Sequence, residues 1–147
     1  MYKTILVPLD GSQRAEAVLP HVESLAQRNK AKVIFLGVVT PFVMGHEAIY
    51  PIFDEEIYKR QIDEMRAYLT ARQEEFLHKD IDAHIRVGHK YVVDQILETA
   101  RRENADLIAM ASHGRTGLSG VFYGSVAAGV LHQVDRPLLL IRSGDEQ

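Results

Sequence analysis

The chain has 147 residues, 46% of them hydrophobic, which is enough length and apolar content for a single domain with a sizeable core. Seventeen basic against twenty acidic side chains leave a formal charge of -3, too little positive field for nucleic acid or an anionic membrane surface, so both are set aside as partners. No cysteine is present, which excludes disulfides, thiolate catalysis and thiolate metal sites.

The first element is the apolar run TILVPL at 4–9. It is about six residues long, far short of a signal core or of the roughly twenty residues a membrane span needs, and a cytoplasmic protein is expected. From Ser12, a plausible N-cap, apolar residues recur at Ala15, Val18, Leu19, Val22, Leu25 and Ala26, the spacing of one buried helical stripe. Pro20 falls inside that pattern and predicts a kink near Glu16 to Pro20.

KVIFLGVV at 32–39 reads as a second strand. The connection that follows, TPFVMGHEAIYPIF at 40–53, is long for a compact domain. It serves either as a lid or partner contact or as a segment packed on its own domain. Residues 54–79 carry Ile57, Ile62, Met65, Leu69 and Phe76 among many charges and predict a helix. IDAHIRV at 81–87 alternates with period two, and 91–103 carries Val92, Val93, Ile96, Leu97 and Ala100 at helical spacing. DLIAMA at 106–111 and LLLIR at 138–142 complete five strands. Between them a last helix, about 122–133, presents Phe122, Val126, Ala127, Val130 and Leu131.

Near-continuous aliphatic strands alternating with helices predict an α/β fold. It is a single doubly wound, Rossmann-like domain over 1–147, with a five-stranded, mostly parallel sheet and helices on both faces. Ligands in such sheets sit beyond the carboxyl ends of the strands, here near Leu9, Val39, Val87 and Ala111.

One segment leaving such a strand end is rich in glycine: ASHGRTGLSGVFYGSVA at 111–127. Backbone N–H groups converge on a phosphate where glycine lets the chain bend, and the helix that follows offers unpaired N–H groups and a positive dipole end. Amides of Gly114, Gly124 and Ser125 are expected to point into one hollow beside Asp10, with the Ser125 hydroxyl and the Arg115 charge added. Neither G-x-x-x-x-G-K-[ST] nor G-x-G-x-x-G opening a helix is present. The plainer reading makes Gly114 and Gly117 turn residues, and Gly120 and Gly124 points of close approach between helix and sheet. Asp10, before Gly11 and Ser12, is either turn chemistry or an acceptor for a ribose or adenine.

These residues resemble the universal stress protein family. The resemblance rests on VPLDGS near the start, KVIFLGVV, the Val87-Gly88 turn, and DLIAMASHGRTGLSGVFYGSVAAGVLHQVDRPLLLIR. It implies a five-stranded parallel sheet, a homodimer through the last strand, and, in one branch, ATP binding marked by Gly-x2-Gly-x9-Gly-[Ser/Thr]. Gly114 and Gly124-Ser125 fit that pattern, while its first glycine falls on Ala111. By the same resemblance Pro8 and Asp10 contact the nucleoside, Val38 meets adenine through its backbone, and Met110 and Ala111 line the ribose. Gly114, Arg115, Gly124, Ser125 and Val126 surround the phosphates. His113 belongs to this stretch as a loop-packing group or a reach toward phosphate or water. The family often has proline two residues after the third-strand glycine, where this chain has Lys90. In the dimer, Val134, Leu138 and Leu140 would help bury the interface.

Support for catalysis is thin. Mg2+ would accompany the ATP, with Asp10 the best carboxylate for it, but no aspartate is paired with a lysine in the Walker manner, so hydrolysis is slow or nil. The seven histidines show no ligand spacing, His84 and His89 included, and no metal site is assigned. The leading expectation is an ATP-binding regulatory protein of the stress response. The alternative is a nucleotide-free dimeric interaction module of the same family. A nucleotidyl transferase ranks last, because HIGH-like and SGGxDS-like motifs are absent.

Overall fold

The computed structural model describes residues 1–41, 54–113 and 124–143, together with the backbone of 43–44 and 52–53. Five parallel strands form one sheet in the order β5-β2-β1-β6-β7: β1 (Thr4–Pro8), β2 (Lys32–Val39), β5 (Ala83–His89), β6 (Leu107–Ala111) and β7 (Leu138–Ile141). A separate antiparallel pair, β3 (Val43–Met44) with β4 (Ile52–Phe53), lies in the 40–53 connection and was not foreseen. The side chains of that connection from residue 42 to 53, on which the lid and packing readings fall, lie outside the described residues.

The central strands are aliphatic because both faces are covered. Alternate side chains of β2 go to opposite layers: Val33 and Phe35 join Val18, Val22, Ala26, Leu69 and Phe76 on one face. Ile34 and Leu36 join Ile96, Leu97, Ala100, Ala127 and Val130 on the other. The first layer is closed by α1 (Leu19–Asn29) and α2 (Glu55–Leu77), the second by α3 (Val92–Arg102) and α4 (Ser125–Gln133). Phe35 and Phe76 meet edge to face with centroids 5.0 Å apart.

Two local expectations need correction. Residues 15–18 form a 3-10 turn, and α1 begins only at Leu19, so Pro20 sits in the first helical turn, where its missing N–H costs no bond. The expected kink is instead a change of helix type. Ser12 still caps the start, its Oγ accepting from Ala15 N at 3.2 Å. The last helix is described from Ser125, with Gly124 as its N-cap, and Phe122 lies outside the described residues.

The turn into α3 passes through Lys90. Lys90 adopts a left-handed φ of 73° and donates its N–H to Val39 O at 3.0 Å. A proline at this position could do neither.

Candidate functional site

Strand order reverses beside β1, which has β2 on one side and β6 on the other. The β1–β6 register holds only Ile5↔Leu107 and Leu6↔Ile108, so the two strands part early and leave a crevice at their carboxyl ends. Thr4 O accepts from Asp106 N, which places the even-numbered main-chain groups of β1 on the β6 side. Pro8 therefore lacks its N–H at a point where no partner strand is registered.

The opposite edge works by the same parity. Lys32 N donates to Lys3 O and Leu36 O accepts from Leu9 N, so even-numbered residues of β2 address β1. The β1–β2 register stops at Pro8↔Leu36. Val38, next on that edge, turns its N–H and C=O into the crevice, one donor beside one acceptor.

Beyond Pro8 the chain turns sharply. Gly11 has φ of 87°, a conformation that favours glycine, and Asp10 Oδ1 accepts from Ser12 N at 2.9 Å and from Ser12 Oγ at 2.6 Å. The turn reading of Asp10 is thus realised, and the same residue also lines the crevice.

The crevice is a cleft of about 700 Å³. Pro8, Asp10, Val38, Met110, Ala111, Gly124, Ser125 and Val126 all line it, so the structure brings together the strand-end and helix-start residues singled out in the sequence. Gly114 and Arg115 lie outside the described residues. The expected convergence of amides is altered in one respect: Gly124 N donates to Ser112 O at 2.8 Å and is spent there. At this end the first turn of α4, beginning with Ser125, borders the cleft, and among the described residues no side-chain cap takes its N–H groups. Gly124 also allows close approach, since a Cβ there would stand 3.3 Å from Ser112 O.

The wall contributed by α2 was missed. Gln61, Glu64, Met65 and Tyr68 line the cleft, and the signal was available: 61, 65 and 68 continue the stripe of Leu69 and Phe76 at i+4 and i+7 spacing. Gly37 makes room for this wall, because a Cβ there would come within 2.3 Å of Met65 Sδ. Gln61 Oε1 is buried with no hydrogen-bond partner among the described residues. Tyr68 donates to Glu16 Oε2, and burial, helped by that carboxylate, holds its phenol well above the ordinary tyrosine range. It acts as a fixed donor, not as a proton shuttle. Arg72, which donates to the same Glu16 oxygen at 3.2 Å, holds the carboxylate in place.

At the β6 end, Ser112, His113 and Ser143 lock three segments together. Ser112 N donates to Ile141 O, Ser143 N donates to Ser112 Oγ at 3.0 Å, and Ser143 Oγ reaches Arg14 O and His113 O. Ser112 Oγ lies 3.1 Å from His113 Nδ1.

With this geometry in place, comparison with known proteins is direct. Residues 1–142 match the universal stress protein family. The chain is 29% identical over 160 residues to universal stress protein MJ0577 of Methanocaldococcus jannaschii, covering 97% of this chain and 96% of that one. The solved structure of MJ0577 superposes with a TM-score of 0.75, covering 99% of both chains at 25% identity. A universal stress protein of Thermus aquaticus is 30% identical over 149 residues, covering 97% of this chain and all of its own length. A universal stress protein from Archaeoglobus fulgidus solved in complex with dAMP shares the fold, with a TM-score of 0.69 at 20% identity over 95% of this chain and 98% of its own.

Proposed function

The chain belongs to the universal stress protein family, and from that premise and the form of its cleft we propose that it is a cytoplasmic, ATP-binding regulatory protein of the stress response. The observation that carries this reading is the pairing of two unlike ends in one cleft at the switch point. At one end the Val38 main chain offers a donor and an acceptor side by side, the complement of an adenine edge. At the other, the N-terminal turn of α4 offers an anion N–H groups that have no side-chain cap among the described residues. Met110, Ala111 and Pro8 form the apolar floor between them, where a ribose would rest beside Asp10. The dAMP complex of the Archaeoglobus relative supports the class of ligand.

Gly114 and Arg115 would complete the phosphate end, and Mg2+ would ride on the phosphate oxygens with Asp10 as its carboxylate. When bound, the cation would neutralise phosphate charge. The sequence has no aspartate paired with a lysine in the Walker manner, which supports binding with slow or no hydrolysis. ATP then acts as a conformational or partner-selecting ligand, which requires it to bind two states of the protein unequally.

Protein purified without added nucleotide and then denatured is expected to release adenine nucleotide, read by chromatography and mass. Repeated absence of that release, together with no measurable ATP affinity, would reject the reading in favour of a nucleotide-free interaction module.

A further inference from the structure

None of the residues that the family resemblance assigns to a ligand lies on α2, yet one wall of the cleft belongs to that helix. α2 runs antiparallel to β2: the later residue Phe76 meets Phe35, while the earlier Met65 covers Gly37, further along the strand. Gln61, one helical turn before Met65 on the same face, therefore stands over the end of β2, where Val38 and Val39 line the same cleft.

Of the four side chains on that wall, three are accounted for. Met65 packs against the core, Tyr68 donates to Glu16, and Glu64 is exposed to water. Gln61 differs, because its Oε1 is buried and has no hydrogen-bond partner among the described residues. An amide oxygen only accepts, and left unmet in the interior it is a standing cost to the fold. The base proposed for the cleft has the converse deficit. The exocyclic amine of adenine carries two N–H groups, and the Val38 carbonyl can take one of them. The second points to the N7 side of the ring, and a glutamine amide is complementary to that N6/N7 edge. One unmet acceptor in the protein matches one unmet donor in the ligand.

We propose that Gln61 selects the base, its Oε1 accepting the second N–H of a 6-aminopurine, so that β2 and α2 read two edges of one ring. A 6-oxopurine would set oxygen against oxygen at Gln61 and is rejected there as well as at Val38. This deepens the nucleotide reading and rests on it.

The test uses the full chain and the variant Gln61→Met, which keeps the length and the helix propensity of the side chain and removes its polar atoms. Calorimetric titrations compare ATP with purine riboside triphosphate, which has hydrogen in place of the amine. The substitution should weaken ATP by roughly fivefold or more and leave purine riboside triphosphate within about twofold of the parent. Ligand-free Gln61→Met should unfold at or above the denaturant midpoint of the parent, since it loses an oxygen that has no partner. Equal losses for the two ligands, or no loss for ATP, would overturn the inference and leave the cleft a nucleotide site. A clearly lower midpoint would also overturn it, by showing that the oxygen serves the fold. A parent that binds neither triphosphate would refute the nucleotide reading and the inference with it.

Discussion

Ala111 carries a methyl group where the family's ATP-binding pattern has its first glycine. It ends β6 in an ordinary strand conformation, 6% exposed, and is not among the residues with positive φ. Nothing in its backbone demands glycine. Ala111→Gly is therefore expected to change ATP affinity by less than about threefold and to lower stability by roughly 0.5–1 kcal/mol through chain entropy. Calorimetric titration and denaturant unfolding check the two halves. A gain in affinity of about tenfold or more would instead mark Ala111 as a lesion and favour the nucleotide-free reading. At this scale the sequence was most legible where chemistry is local. The Asp10-Gly11-Ser12 turn follows from residue type, because the carboxylate reaches N–H groups two residues on and glycine takes the positive φ. It was least legible where distant segments meet. No pattern in the chain announces that Gly124 N would be taken by Ser112 O, or that Gly37 opens a space for Met65.

Between elements, α3 and α4 approach each other closely. A Cβ at Gly129 would lie 2.7 Å from Val93 Cγ2, and a β-branched side chain has little freedom to retreat. Gly129→Ala sets a helix-propensity gain of about 1 kcal/mol against overpacking of roughly 1–3 kcal/mol, so net destabilisation is expected. In a Val93→Ala background the clash is gone, and the same change should stabilise; denaturant midpoints of the four proteins decide. A second join links β5 to the end of α3, where Arg86 Nε and Nη2 grip the two oxygens of Glu103 at 3.0 and 3.2 Å. That hydrogen bonding holds the Glu103 carboxyl below its ordinary value. A depressed folded value means the contribution is present above the unfolded pKa and lost as pH falls through the folded one. Glu103→Gln should cost about 0.5–1 kcal/mol at pH 7, a modest figure for a part-buried pair whose arginine is partly open to solvent. The gap from the parent should close as the pH drops below the carboxylate range, as read by unfolding at several pH values. The buried strands were legible because their aliphatic runs are nearly unbroken. β5 was placed at 81–87 and runs 83–89, since its half-buried side chains and polar ends blur the boundary. The 3-10 turn before α1 was hidden by an apolar periodicity that both helix types satisfy over a few residues.

For the whole molecule, the open edge of β7 bears on assembly. Ile108 N donates to Pro137 O and Ser112 N to Ile141 O, so odd-numbered residues of β7 address β6, while Leu138 and Leu140 turn their main-chain groups to the outer edge. All four side chains of the strand are only part-buried. An edge of this kind suits pairing with a second copy across a two-fold axis, the association that the family resemblance implies. Leu140→Pro removes an outward N–H without touching the β6 ladder, and sedimentation should show a dimer become a folded monomer. A parent already monomeric, or a variant that stays dimeric, would place the interface elsewhere or remove it. Each of these assemblies would serve the same purpose, presenting a cleft built where the strand order reverses. Its occupancy is measured most directly by calorimetric titration of the purified chain with ATP and Mg2+. The account predicts saturation at one nucleotide per chain, and loss of that heat in Gly124→Val, whose side chain would press on Ser112 O from a position now 3.3 Å away. A folded parent protein that takes up no ATP, or a Gly124→Val variant that binds it as well as the parent, would contradict it.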